Sequence, residues 1–78
     1  MQKFPKISGN QMIRYLQRKG FVIIRRKGSH LSLKNEGVFT TVSAGNKRLG
    51  IGIQYSILAD VNISREVFIE DYKNGIII

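Results

Sequence analysis

Cysteine is absent from the 78-residue chain, which excludes disulfide staples, cysteine-ligated zinc and thiol nucleophiles together. Stability must come from packing. Acidic residues are scarce: five Asp and Glu stand against thirteen Lys and Arg, a formal net charge of +8 with a sequence pI near 10.3. So basic a small surface attracts polyanions, and nucleic acid is the expected partner, although charge alone separates neither RNA from DNA nor nucleic acid from an acidic protein. No apolar run approaches the roughly 20 residues that span a bilayer, and Met1-Gln2-Lys3-Phe4-Pro5 lacks the apolar region of a secretory signal. A cytoplasmic protein without a membrane role is expected. Repeats and low-complexity segments are also missing, and a chain of this length has room for one domain, residues 1–78.

What is present is a regular pattern. Ser8 followed by Gln11 has the spacing of a capping box, and Ile7 with Met12 that of a hydrophobic staple, so a helix is predicted from Ser8 with Met12, Ile13 and Leu16 on its apolar stripe. Lys19-Gly20 suits its end. Phe21-Val22-Ile23-Ile24 is a β-branched and aromatic run, predicted as a first strand that ends in a basic turn, Arg25-Arg26-Lys27-Gly28. From Ser29 the residues alternate, with Leu31 and Leu33 on one face and His30, Ser32 and Lys34 on the other. Asn35-Glu36-Gly37 supplies a turn, and Val38 to Val42 a third strand. After a loop from Ser43 to Gly50, Ile53, Ile57, Leu58 and Val61 return at helical spacing from near Gly52. Ser64 is placed to cap a last short helix whose Val67, Phe68 and Tyr72 share a face. The apolar tail Gly75-Ile76-Ile77-Ile78 fits an edge strand, a partner contact or a frayed end. The order αβββα predicts an α+β fold: a three-stranded antiparallel sheet with both main helices on one face and the other face open. Function is expected on that open face.

Arg25-Arg26-Lys27-Gly28-Ser29-His30 brings three cations, a glycine, a hydroxyl and the sole histidine into one stretch, a combination suited to a phosphate. The plain alternative is a solvated basic hairpin. Histidine is the side chain that exchanges protons readily at neutral pH, and RNA cleavage needs proton transfer, because the 2′-OH is a nucleophile already in place. A strand histidine more often makes a structural hydrogen bond, but His30 falls on the polar face beside cations. Metal ligation at His30 is not supported, since Asp60, Glu66, Glu70 and Asp71 fall in the C-terminal part, Glu36 lies in a turn, and none has ligand spacing. No cofactor is expected. Gly50-Ile51-Gly52 resembles part of a phosphate-binding loop but follows no strand, and reads as a flexible helix entry. Tyr55, Lys47 and Arg48 are candidates to flank bound RNA. The site residues expected are His30 for catalysis and Arg25, Arg26, Lys27, Gly28, Ser29, Ser32, Lys34, Lys47 and Arg48 for RNA.

These residues resemble the HicA toxins, the ribonuclease halves of bacterial and archaeal toxin–antitoxin pairs. The resemblance runs from Ser8-Gly9 and Leu16 through Gly20-Phe21 to Arg25 or Arg26 with Gly28-Ser29-His30. It continues at Leu49, Gly52, Ser56-Ile57-Leu58, Ile63-Ser64-Arg65-Glu66 and Phe68. It implies a fold like the double-stranded RNA-binding domain and His30 as the catalytic residue. It further implies metal-independent cleavage of messenger RNA and silencing by a HicB-type antitoxin that covers the active face. The chain departs from the family where the third strand usually ends in Pro-x-His, with Ser43-Ala44-Gly45 there instead. Lys27, a water or His30 itself must then supply the second proton transfer. A non-catalytic RNA-binding module on the same fold is the alternative, and a small protein that binds an acidic partner is a third.

Overall fold

The computed structural model describes residues 4–77. Its first helix, α1 (Gly9–Arg18), begins on the capping box: the Gln11 N–H donates to Ser8 Oγ at 3.1 Å and the Ser8 N–H donates back to Gln11 Oε1 at 2.8 Å. Met12, Ile13 and Leu16 are buried as the spacing predicts, joined by Tyr15. The strands β1 (Val22–Lys27), β2 (His30–Asn35) and β3 (Val38–Ser43) form one antiparallel sheet in the order β1-β2-β3. Two helices follow, α2 (Ile51–Asp60) and α3 (Arg65–Lys73). This is the αβββα arrangement of an α+β fold.

Helices α1 and α2 pack on the same face of the sheet and contact it chiefly at β3. Leu31, Leu33 and Val42 enter the core there, and Thr40 is buried with its hydroxyl donating to Asp60 Oδ2 at 2.9 Å. Strand β1 lies outside that cover: Phe21, just before it, is 6% exposed, whereas Val22, Ile23 and Ile24 are exposed. The strand is also longer than its apolar run. Arg25, Arg26 and Lys27, expected in a turn, are paired residues of β1, and the turn is Gly28-Ser29 alone. Such a two-residue hairpin with positive φ only at its first central residue is the type II′ pattern, which favours glycine there; Gly28 has φ +60°. The turn glycine thus explains why the strand extends: the ladder closes on the last possible pair, Lys27 with His30.

Two expected core faces are built differently. In α2, Ile57 and Leu58 are buried and Val61 caps the helix from inside the core, but Ile53 is 56% exposed and Gln54 is fully buried in its stead. Gln54 is held because the segment before α1 needs partners: the Ile7 N–H donates to Gln54 Oε1 and Gln54 Nε2 donates to the Pro5 carbonyl, each at 2.8 Å. Both ends of a buried amide are satisfied, which offsets its desolvation. In α3 the stripe that faces inward is Phe68 and Asp71, which leaves Val67 and Tyr72 on the exposed flanks. Phe68 stacks on Phe4 and meets Tyr15 edge-on, so α3 packs against α1 and not on the sheet. Of the C-terminal tail, Ile77 is 7% exposed and belongs to the core, while Ile76 packs partly against it. That end is neither a strand nor frayed as far as Ile77; Ile78, like Met1 to Lys3 of the N-terminal segment, lies outside the described residues.

Asp71 accepts a hydrogen bond from Tyr15 Oη at 2.7 Å and an ion pair from Lys19 Nζ at 2.8 Å, which ties α3 to the end of α1. Burial by itself would raise the Asp71 pKa, but the hydrogen bonds from Lys19 and Tyr15 and the Lys19 charge outweigh it and hold the carboxyl below its ordinary 3.8. Burial, with the Asp71 carboxylate beside it, raises Tyr15. A carboxyl depressed in the folded state stabilises it fully above the unfolded value and loses that contribution as pH falls through the lower folded value. Thermal melts across the acid range are therefore expected to show stability declining below about pH 3.8. Asp71→Ala removes this part of the decline and, by leaving the Tyr15 hydroxyl buried without its acceptor, costs about 1–3 kcal/mol at neutral pH.

Candidate functional site

Partners across an antiparallel ladder point to the same face, so the register fixes the open surface residue by residue. His30 stands between Lys27 and Ser43, Ser32 between Arg25 and Thr41, and Lys34 between Val22 and Phe39. These nine positions form three cross-strand rows, and all but the half-buried Ser32 are exposed. Their backs are sealed by Leu31, Leu33, Thr40 and Val42. The polar face expected for His30, Ser32 and Lys34 is present, and Arg25 and Lys27 join it from β1.

Arg26 does not. The β1–β2 register shifts between Ile23 and Arg25, a bulge at Ile24, and beyond it the alternation puts Arg26 opposite Leu31 on the helix side. There Arg26 lines a shallow depression with Asn10, Ile13, Arg14, Leu31 and Ala44. Its Nε donates to the Gly28 carbonyl at 3.3 Å, so it braces the hairpin from behind. Gly28 and Ser29 form the turn beside His30, and the Ser29 carbonyl accepts from the Ala44 N–H at 2.7 Å. Lys47 is exposed in the loop after β3. Arg48 bridges to Ser8 and lines a separate cleft of about 570 Å³ with Phe4, Pro5, Lys6, Ile51 and Tyr72. Tyr55 is turned to the core side of α2 and α3, edge-on to Phe4 and under Arg65, whose guanidinium carbon is 3.6 Å from the ring centre.

Among the described residues, the side-chain hydrogen-bond partner of His30 is Ser43, whose Oγ lies 3.3 Å from Nδ1. When Nδ1–H donates to that hydroxyl, Nε2 carries the lone pair and is the atom able to take a proton. Ser43 is placed in turn by α1. A Cβ on Gly9 would stand 1.8 Å from the Ser43 carbonyl oxygen, so only glycine lets the helix start lie this close to the end of β3. Asn10 fastens the same junction: its N–H donates to the Gly45 carbonyl at 3.0 Å and its Oδ1 accepts from the Gly45 N–H at 2.9 Å. The neighbouring pair, Ser32 and Thr41, is joined hydroxyl to hydroxyl at 3.3 Å.

The sequence alone did not indicate Ser43 as the partner of His30, nor Thr41 and Phe39 as members of the face. Counting alternate residues along the third strand from Phe39, the partner of Lys34, gives Thr41 and Ser43, but the register that starts the count at Phe39 is set by the turn and not by local spacing. Among the described residues no group of three or more His, Cys, Asp or Glu is placed to hold a metal ion, and no helix is long and apolar enough to cross a membrane.

No curated protein and no solved structure matches the chain. A family model does, the HicA toxin of bacterial toxin–antitoxin systems, over residues 9–63. That span begins at the glycine under Ser43, contains the whole sheet with His30 at its open face, and ends after α2. It covers well over half of the sequence, and the chain therefore belongs to the HicA toxin family, which makes it the toxin member of a toxin–antitoxin pair.

Proposed function

We propose that the chain is a metal-independent endoribonuclease that cleaves messenger RNA in the cytoplasm and is neutralised by a HicB-type antitoxin laid across the open sheet face. The observation that carries the reading is the row Lys27–His30–Ser43: an exposed imidazole with one ring nitrogen engaged, and a cation on the neighbouring strand about 4.5–5.5 Å away between Cα atoms.

In this reading the RNA phosphate lies over His30, with Lys27 and Arg25 opposing its charge. His30 Nε2 takes the proton of the 2′-OH as the 2′-oxygen attacks phosphorus. The bond from phosphorus to the 5′-oxygen breaks, and that oxygen leaves with a proton from the imidazolium, from Lys27 or from water. The products are a 2′,3′-cyclic phosphate and a 5′-hydroxyl. Every atom is accounted for by RNA and one proton relay. Ser43 holds the ring, and its backbone is fixed by the Gly9 contact.

His30→Ala tests the assignment. Acid–base catalysis by a placed side chain is worth about 10² to 10⁴ in rate, so cleavage of a long RNA in EDTA is expected to fall by that factor. Stability should change by roughly 0.5 kcal/mol or less, because the side chain is exposed. DNA of the same sequence should stay intact. A folded variant that cuts RNA at the wild-type rate removes His30 from the chemistry, and a wild type that binds RNA without cutting it makes the domain a binding module.

The two faces of β1 give a second test. Phosphate contacts release counterions and make affinity fall with salt, with a slope of about 0.7 per contact on single strands. Replacing Arg25 and Lys27 by Ala should flatten the logarithmic salt dependence of RNA binding by about 1.4. Arg26→Ala should leave it nearly unchanged, since Arg26 lies behind the sheet. Equal effects of the three cations would mean that general charge, not this face, binds RNA.

A further inference from the structure

The row farthest from His30 differs chemically from the other two. Phe39 is 63% exposed and Val22 59% exposed, and each is the register partner of Lys34 on its own side, so a cation stands between an aromatic and an aliphatic side chain on an otherwise polar sheet face. Phe39 cannot turn inward: its neighbours Thr40 and Val38 take the helix side, Thr40 buried on Asp60 and Val38 packed against the core. The alternation of β3 thus presents a phenylalanine ring to solvent on the same surface as the histidine.

Along β2 the interval from His30 to Lys34 is four residues, about 13 Å of strand at roughly 3.3 Å per residue. The residues between, Ser32 joined to Thr41, with Arg25 beside them, are hydroxyls and a cation. A single-stranded polyanion laid along β2 would meet charge over the first two rows and a flat apolar ring at the third. Aromatic rings on open sheets are platforms on which unpaired bases stack, because every base has a π-face whatever its sequence.

We propose that Phe39 is a base-stacking platform for the RNA strand, seated beyond the nucleotides joined by the phosphate at His30, with Lys34 holding the backbone beside the stacked base and Val22 closing the row. The occupant is single-stranded RNA and not an apolar protein segment, because the ring shares its face with Arg25, Lys27 and Lys34 while acidic residues are absent from all nine positions. The inference rests on the ribonuclease reading for its orientation relative to His30, but stacking itself needs no catalysis. Phe39 then positions substrate and takes no part in proton transfer.

The test uses a short 2′-O-methyl oligoribonucleotide, which has no free 2′-OH and is not cleaved, with 2-aminopurine moved through its positions as a fluorescent base. Wild type and His30→Ala are both expected to quench the probe at a preferred position. Phe39→Ala should lose that quench and bind on the order of tenfold more weakly, while Phe39→Trp should keep both. Lys34→Ala should weaken binding and flatten its salt dependence with the quench retained. In cleavage, Phe39→Ala should raise KM for long RNA with little change in kcat, and leave a dinucleotide substrate unaffected. Phe39→Ala with unchanged quench and affinity overturns the platform, as does a folded wild type that binds no RNA at low salt. Loss of antitoxin binding with RNA binding intact overturns it too and assigns the ring to the protein partner. Quenching without any RNA cleavage by wild type supports the platform and refutes the ribonuclease reading, whereas cleavage that ignores Phe39 refutes the platform alone.

Discussion

The structure depends on the register of β2. This strand is the centre of the sheet and is held on both sides, so Leu31 and Leu33 can enter the core only if His30, Ser32 and Lys34 face outward. A slip of one residue would exchange the two sets and bury a charge in place of a leucine, at a cost the small core could not meet. Gly28-Ser29 pins one end by closing the hairpin on Lys27 and His30. The packing of the core and the exposure of the histidine are therefore one constraint, and the same two-residue periodicity delivers both.

That constraint also explains what the sequence made legible. The capping box at Ser8, the alternation through Leu31 and Leu33 and the return of helical spacing at Ile57 and Leu58 are local patterns, and each corresponds to the observed element. The open face bearing His30 followed from them. What escaped was non-local. The bulge at Ile24 inverts the parity of β1, so that of two adjacent arginines Arg25 faces the site and Arg26 the helices. Polar residues drawn inward by distant partners, Gln54 by Pro5 and Ile7 and Asp71 by Tyr15 and Lys19, displaced Ile53 and Tyr72 from the core. Spacing cannot reveal this, because the partners lie as far as 56 residues away.

The candidate site is economical in a way that suits a toxin subject to control by a second protein. Arg25, Lys27 and Lys34, the imidazole and the aromatic ring lie on one uncovered sheet face, where, on the proposed reading, one occluding surface would block RNA binding and proton transfer together. No hinge or cofactor is needed for that inhibition. The burden of positioning falls instead on rigid contacts behind the sheet: the Gly9 approach to Ser43, the Asn10 clasp on Gly45 and the Arg26 brace under the turn. These hold the exposed residues without occupying the surface that RNA would use.

The central claim is that RNA lies on the open sheet face with its phosphate at His30. Amide and side-chain chemical shifts of the full chain, followed while 2′-O-methyl RNA is added, test it most directly. The account predicts perturbations along Lys27, His30 and Ser43, through Ser32, to Lys34 and Phe39, with the outer sides of α2 and α3 unchanged. Perturbations confined to the cleft of Lys6, Arg48 and Tyr72 or to the helices, with the His30 ring silent, would contradict it.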